Sequence, residues 1–291
     1  MNRIVLGTAQ FGMDYGINNM RGRMPTKEAF EILDASIEFG IDTIDTASAY
    51  GESEKIIGSF IKNNKGTFKI ISKLPKCNHK DIKNIVEQSL EELNITCLQG
   101  YLIHSFDHYK NNPKIWEEME SLKKEGKIKK IGFSLYYPRE IELLFSKNLK
   151  IDIVQVPYSI FDQRFNESFA ELKERNVEVF ARSVFLQGLI FKKPNLLGMQ
   201  FTRIRNKIEQ LNKLSEELNI PIVSLCVNFA RLERRIDKIV IGVDSVDNLK
   251  EIMSAETHNL QVKNNINNFY NLRENDEELI LPFNWNLQRN N

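Results

Sequence analysis

The chain has 291 residues, 42% of them hydrophobic and 27% charged, and a formal net charge of +1. That is globular composition, neither disordered nor fibrous, and the near-zero balance gives no global electrostatic reason to bind nucleic acid or an anionic lipid surface. No run of about 18 apolar residues marks a membrane span, and MNRIVLGTAQ lacks the charged-then-apolar pattern of an export signal, so the expectation is a cytoplasmic protein without a membrane or nucleic-acid partner.

In chain order, IVLGT (4–8) reads as a first strand. The loop QFGMDYGINNMRGRMP follows, and then TKEAFEILDASIEFG repeats its apolar residues at i, i+3, i+4 and i+7, as a helix with one buried stripe does. Thr26 is its candidate N-cap and Gly40 its stop. IDTID (41–45) is a second strand, passing through DTASAYGESE into a helix at SEKIIGSFI. The later strands are FKIISK (68–73), LQGYLIH (98–104), KKIGFS (129–134), IDIVQV (151–156), VEVFAR (177–182) and DKIVIG (237–242). Helical periodicity returns between them in KDIKNIVEQSLEELN, in NPKIWEEMESLKKEG with Gly126 at its end, and in FTRIRNKIEQLNKLSEELN.

Alternating strands and helices with short connections require parallel crossovers, and eight such units predict an α/β protein with a closed (β/α)8 TIM barrel rather than an open doubly wound sheet. No GxGxxG follows the first strand, which weighs against a dinucleotide-binding domain of the doubly wound kind. The barrel is expected over residues 1–257 as a single domain, with 258–291 as a C-terminal tail packing Pro282 and Trp285 against it. Cys77, Cys97 and Cys226 are an odd, scattered set without CxxC, which predicts reduced thiols and no metal site.

In such a barrel the active face lies at the carboxyl ends of the strands. That edge carries Asp45 with Tyr50 one loop later, then Lys73, His104, Ser134 and Gln155. Each has an ordinary reading taken singly: a helix cap, a half-buried ring, a surface charge, a core histidine. Ionisable groups on consecutive strands at one end argue for chemistry instead. A free phenol has a pKa of about 10, which a neighbouring ammonium such as Lys73 would lower, while Asp45 would keep that ammonium charged and fixed. His104 could donate a hydrogen bond to a carbonyl oxygen. A group set of this kind does acid catalysis, so a hydride would have to come from a cofactor.

LGTAQFG, DTASAYGESE, IISKLP, YLIHSFD, KKIGFS, DIVQVPYSIFDQR and IVIGVDSVDNLKEI occur in the order and spacing of the aldo-keto reductases, and the sequence resembles that family over nearly its whole length. The resemblance implies an NAD(P)H-dependent oxidoreductase acting on the carbonyl of a small-molecule aldehyde or ketone. It implies that Asp45, Tyr50, Lys73 and His104 form the catalytic tetrad, with Tyr50 as proton donor. It also implies that Ser134 and Gln155 meet the nicotinamide carboxamide and that Gly7 and Thr8 line the nicotinamide end. The loop after the eighth strand, with Gly242, Asp244, Ser245 and Asn248, is then expected to receive the adenosine phosphate.

The sequence departs from the family pattern at three places. Leu135 stands where Asn is usual. Arg182, Ser183, Val184 and Phe185 replace Tyr-Ser-Pro-Leu, whose Tyr stacks on the nicotinamide ring; a fixed cation there is expected to seek a substrate phosphate or carboxylate, or a cofactor pyrophosphate oxygen, if it does not simply pair with Asp or Glu. Asp244 replaces a Lys, Ser or Thr, and Ile252 an Asn. A carboxylate repels a 2′-phosphate and can accept from a free ribose hydroxyl, although Lys250 could compensate; the family's habit keeps NADP(H) slightly ahead of NAD(H). In the first loop, Tyr15, Arg21 or Arg23 is a candidate contact to an anionic or hydroxylated substrate such as a sugar derivative. Two other readings are compatible with parts of this pattern. One is a nicotinamide-nucleotide-binding regulatory subunit with slow reductase activity. The other is a barrel lyase using Lys73 as a Schiff base, which leaves Tyr50 and Asp45 without roles. Nothing in the sequence sets an oligomeric state.

Overall fold

Eight parallel strands, each hydrogen-bonded to the next in sequence order, close into a barrel in a computed structural model that describes residues 2–19, 21–63 and 68–285. They are β1 (Ile4–Gly7), β2 (Thr43–Asp45), β3 (Lys69–Leu74), β4 (Gly100–Ile103), β5 (Ile131–Ser134), β6 (Ile153–Pro157), β7 (Glu178–Arg182) and β8 (Lys238–Gly242). Each overlaps the strand expected from its β-branched run, and β1 pairs with β8 to shut the ring. Helices alternate with the strands and cover the outside of the sheet, as parallel crossovers demand.

Strand side chains alternate in direction, so each strand feeds two apolar layers. Val5, Ile71, Leu102, Ile153, Phe180 and Val240 point inward and fill the barrel as a cluster of their own. Outward residues such as Leu6, Ile44, Ile70 and Val179 pack beneath the helices in the main core. The barrel is therefore a filled core with a floor and not a pore.

Helix ends follow the expected chemistry in part. Gly40 and Gly126 adopt φ of +68° and +78° after their helices, a conformation that costs a residue with a Cβ more than it costs glycine. Thr26 is not a cap: the helix Thr26–Glu38 begins on it, and Pro25 holds the capping position in extended conformation with no side-chain hydrogen bond. At the other terminus Trp285 is buried, donates from Nε1 to the Leu279 carbonyl at 3.1 Å and meets Phe201 edge-on at 5.0 Å. Pro282 is half-buried. Among the described residues no helix is long and apolar enough to cross a membrane.

Candidate active site

Asp45 closes β2, in register with Gly7 on one side and Ile71 on the other. The chain then turns tightly, Tyr50 N–H donating to the Ala47 carbonyl at 2.9 Å and Ser53 N–H to the Tyr50 carbonyl at 3.1 Å, before the helix Ser53–Asn63 begins. Ser53 Oγ ties that helix start to the Thr8 carbonyl at 3.0 Å. Two glycines let the first loop press against the turn. A Cβ on Gly12 would lie 1.7 Å from the Tyr50 carbonyl oxygen, and one on Gly51, whose φ is +57°, would lie 2.4 Å from Gly12 O. The position of Tyr50 is thus set by β1 and the loop after it as much as by its own segment.

Alternation along β3 sends Ser72 outward, where its hydroxyl donates to the buried Glu54 carboxylate at 2.5 Å, and Lys73 inward. Lys73 is 1% exposed, and its Nζ donates to Asp45 Oδ2 at 2.6 Å and to the Thr46 carbonyl at 2.8 Å. The Tyr50 hydroxyl lies 3.4 Å from the same nitrogen. His104, just beyond β4, meets the Tyr50 ring edge-on with centroids 6.0 Å apart. Gln155 on β6 donates from Nε2 to Asp45 Oδ1 at 2.7 Å, so both carboxylate oxygens are engaged. The four residues singled out as a tetrad stand together at one end of the barrel.

The electrostatics differ from the sequence expectation at Tyr50. Its pKa is pushed well above the ordinary phenol value, first by burial and then by the Asp45 carboxylate, with the Arg182 guanidinium acting in the opposite direction. The charge of Lys73 is spent on Asp45 at 2.6 Å, which is why the ammonium does not draw the phenol toward ionisation. Burial lowers the Lys73 pKa, and Asp45 opposes that shift. His104 is driven down to about 3 by burial and then by the Lys73 and Arg182 charges, so its imidazole is neutral near pH 7.

Above this cluster opens a cleft of about 700 Å³. Asp45, Tyr50, His104, Ser134 and Gln155 line it, together with Gly7 and Thr8. Lys73 lies behind them, reached through Asp45 and Tyr50. Arg182 and Ser183 form part of the wall, and the lining continues from Gly242, in register with Gly7, to Asp244 and Asn248 beyond β8. Ser245 falls outside the cleft: it caps the helix Val246–Ser254 by accepting from Asn248 N–H at 3.2 Å and faces a shallow depression next to Arg21 and Glu28. The Thr8 hydroxyl is already engaged, donating to the Asp45 carbonyl at 3.0 Å and lying 2.9 Å from Ser53 Oγ.

Arg182 pairs with no carboxylate among the described residues. Its guanidinium donates to the Leu135 carbonyl at 3.1 Å and to Ser183 Oγ at 3.2 Å, and lies 4.2 Å over the Tyr136 ring. Ser183, Leu186, Gln187 and Gly188 all have positive φ, so the segment after β7 is held in an uncommon conformation beside that cation. The first loop crosses to it, Ile17 N–H donating to the Gln187 carbonyl at 3.0 Å. Tyr15 lines the cleft, whereas Arg21 pairs with Glu28 and Arg23 with Glu52 at the surface. Tyr136, Gln10 and Phe283 also line the cleft and were not singled out from the sequence. Phe283 arrives from the C-terminal segment and meets Tyr136 edge-on at 4.7 Å, a neighbour that no local pattern could announce.

Residues 3–268 match the family model described as the Aldo/keto reductase family. The oxidoreductase YqkF of Bacillus subtilis is 26% identical over 283 residues, covering 88% of this chain and 91% of its own. Methylglyoxal reductase DkgA of Escherichia coli is 30% identical over 128 residues, 42% of this chain and 45% of its own. Among solved structures, aldo-keto reductase AKR11C1 from Bacillus halodurans superposes with a TM-score of 0.71 at 21% identity, over 90% of this chain and 91% of its own. Glycerol dehydrogenase AKR11B4 from Gluconobacter oxydans gives 0.72 at 18% identity, over 97% and 93%. The chain belongs to the aldo/keto reductase family, whose members are NAD(P)H-dependent oxidoreductases of carbonyl substrates.

Proposed function

We propose that this protein reduces the carbonyl group of a small aldehyde or ketone bearing hydroxyl or anionic groups, with Tyr50 as the proton donor. The observation that carries the reading is a phenol hydroxyl 3.4 Å from a buried ammonium, itself fixed by a carboxylate at 2.6 Å, with a neutral imidazole edge-on to the phenol ring. A bound reduced nicotinamide cofactor would supply the hydride.

The residues present fit such a group. Ser134 and Gln155 face the cleft side by side, paired across β5 and β6. Gln155 spends one amide N–H on Asp45, leaving its carbonyl oxygen and a second N–H for a carboxamide. Gly7 and Gly242, in register on β1 and β8, both line the cleft, and Gln10 packs so closely on Gly242 that a Cβ there would come within 2.6 Å of its side-chain amide. Family habit alone points to the 2′-phosphorylated cofactor.

The protein's own part is to place the carbonyl and protonate it. A Tyr50 hydroxyl held protonated by burial has a proton to give, and the Arg182 guanidinium favours the phenolate left behind. His104 is neutral, so it serves as a hydrogen-bond donor to the carbonyl oxygen and not as a charged acid. The Arg182 guanidinium, lacking a carboxylate, receives an anionic group of the substrate, while Gln10, Asn18 and Gln187 suit hydroxyls.

The test is oxidation of NADH and NADPH driven by paired carbonyls: succinic semialdehyde against butanal, and glyceraldehyde 3-phosphate against glyceraldehyde. Tyr50→Phe should lower kcat by about 10²- to 10⁴-fold, the usual worth of a positioned general acid. Arg182→Leu should raise KM for the charged member of each pair only. Parental turnover by Tyr50→Phe would refute the proton-donor role.

A further inference from the structure

The part of the cleft wall that follows β8 has a charge distribution of its own. The family resemblance implies that the loop there receives the adenosine phosphate of a bound dinucleotide. Gly242 and Asp244 contribute to this part, as do Asn248, Glu251 and Ile252 from the helix Val246–Ser254. Among the described residues lining the cleft, Arg182 is the single Lys or Arg. It stands beside the proposed acid, where its charge acts on both Tyr50 and His104. Resting on the reductase reading above, we propose that the cleft selects NAD(H) over NADP(H), with Asp244 as the discriminating side chain.

The two cofactors differ by one phosphate monoester, which carries about two negative charges near neutrality. Such a group needs a cation or a set of free N–H donors. The start of a nine-residue helix, Val246–Ser254, would ordinarily provide some attraction. Here Asp244 and Asp247 flank that start, and the Asn248 N–H is already donated to Ser245 Oγ at 3.2 Å.

Two basic side chains of this neighbourhood, Lys250 and Arg21, lie outside the cleft lining and face carboxylates in exposed pairs. Lys250, the one basic residue of the helix, lies with Nζ 3.2 Å from Asp247 Oδ1. Arg21 borders the neighbouring depression, but it bonds Glu28 at 2.6 Å, and Glu31 and Asp247 line the same depression. A free ribose reverses the balance, because its hydroxyls can donate to the carboxylates of Asp244 and Glu251, as acidic residues do in other NAD sites. The same side chain thus attracts one cofactor and repels the other, which is how a site discriminates between near-identical ligands.

Calorimetric titration of the full chain with NADH and with NADPH at low ionic strength tests this directly, without turnover. The expected Kd for NADH is lower by about tenfold or more, and the gap should narrow as salt screens the exposed Asp244 carboxylate. Asp244→Asn should reduce the gap and Asp244→Arg should invert it. Since Asp244 is exposed, neither change disturbs the core. An NADPH Kd equal to or below that for NADH overturns the selection while leaving the reductase reading standing. A gap unchanged in both variants overturns the role of Asp244. Binding of neither nucleotide overturns the selection and the reductase reading together.

Discussion

Gln155 donates to Asp45 at 2.7 Å across the mouth of the barrel, from β6 to β2, strands that lie opposite each other in the ring. The bond completes the carboxylate, whose other oxygen is held by Lys73 at 2.6 Å. Gln155→Leu removes one donor and leaves a buried oxygen unpaired, a change that costs about 1–3 kcal/mol. Urea denaturation of the variant and the parent checks this; identical midpoints would show that the bond does not contribute.

The Asp45–Lys73 pair predicts strong non-additivity. Both partners are nearly excluded from solvent, at 3% and 1% exposure, so removing one strands the other as an uncompensated charge. Lys73→Met should destabilise by about 3–5 kcal/mol, whereas the double variant Asp45→Asn with Lys73→Met should lose distinctly less than the sum of the two single changes. A double-mutant cycle on unfolding free energies measures the difference, and simple additivity would contradict the pairing.

His104 predicts a pH dependence of stability with a definite sign. Its folded pKa, about 3, lies below the unfolded value of about 6.5. Between those limits the unfolded chain takes up a proton that the folded chain refuses, so stability is fully present above about pH 6.5 and is lost as pH falls toward 3. At full protonation of the unfolded state the slope is about 1.4 kcal/mol per pH unit. The difference in unfolding free energy between the parent and His104→Gln, followed from pH 7 to 4, isolates this contribution because other titrating groups cancel. A flat difference would mean that the imidazole is not driven down by its surroundings.

How much of this could be read from the sequence follows from how local each signal is. β8 was recognisable in DKIVIG, and β3 in FKIISK, because β-branched runs bounded by helical periodicity speak for themselves, and repetition of the unit implied closure. The positions of Asp45, Lys73 and His104 followed from strand ends alone. The Gln155–Asp45 bond did not, since it depends on two strands meeting across a closed ring. Phe283 and Tyr136 meet by the same kind of long-range accident. Proximity of Lys73 to Tyr50 was foreseeable, but the outcome at the phenol was not: burial and Asp45 outweigh the Arg182 guanidinium, a balance only three-dimensional surroundings can decide.

The apolar floor made by Val5, Ile71, Leu102, Ile153, Phe180 and Val240 fills the barrel beneath the cleft, and Val240 belongs to both. The ionisable groups at the strand ends therefore stand on packed hydrocarbon, where charges interact far more strongly than they do in water.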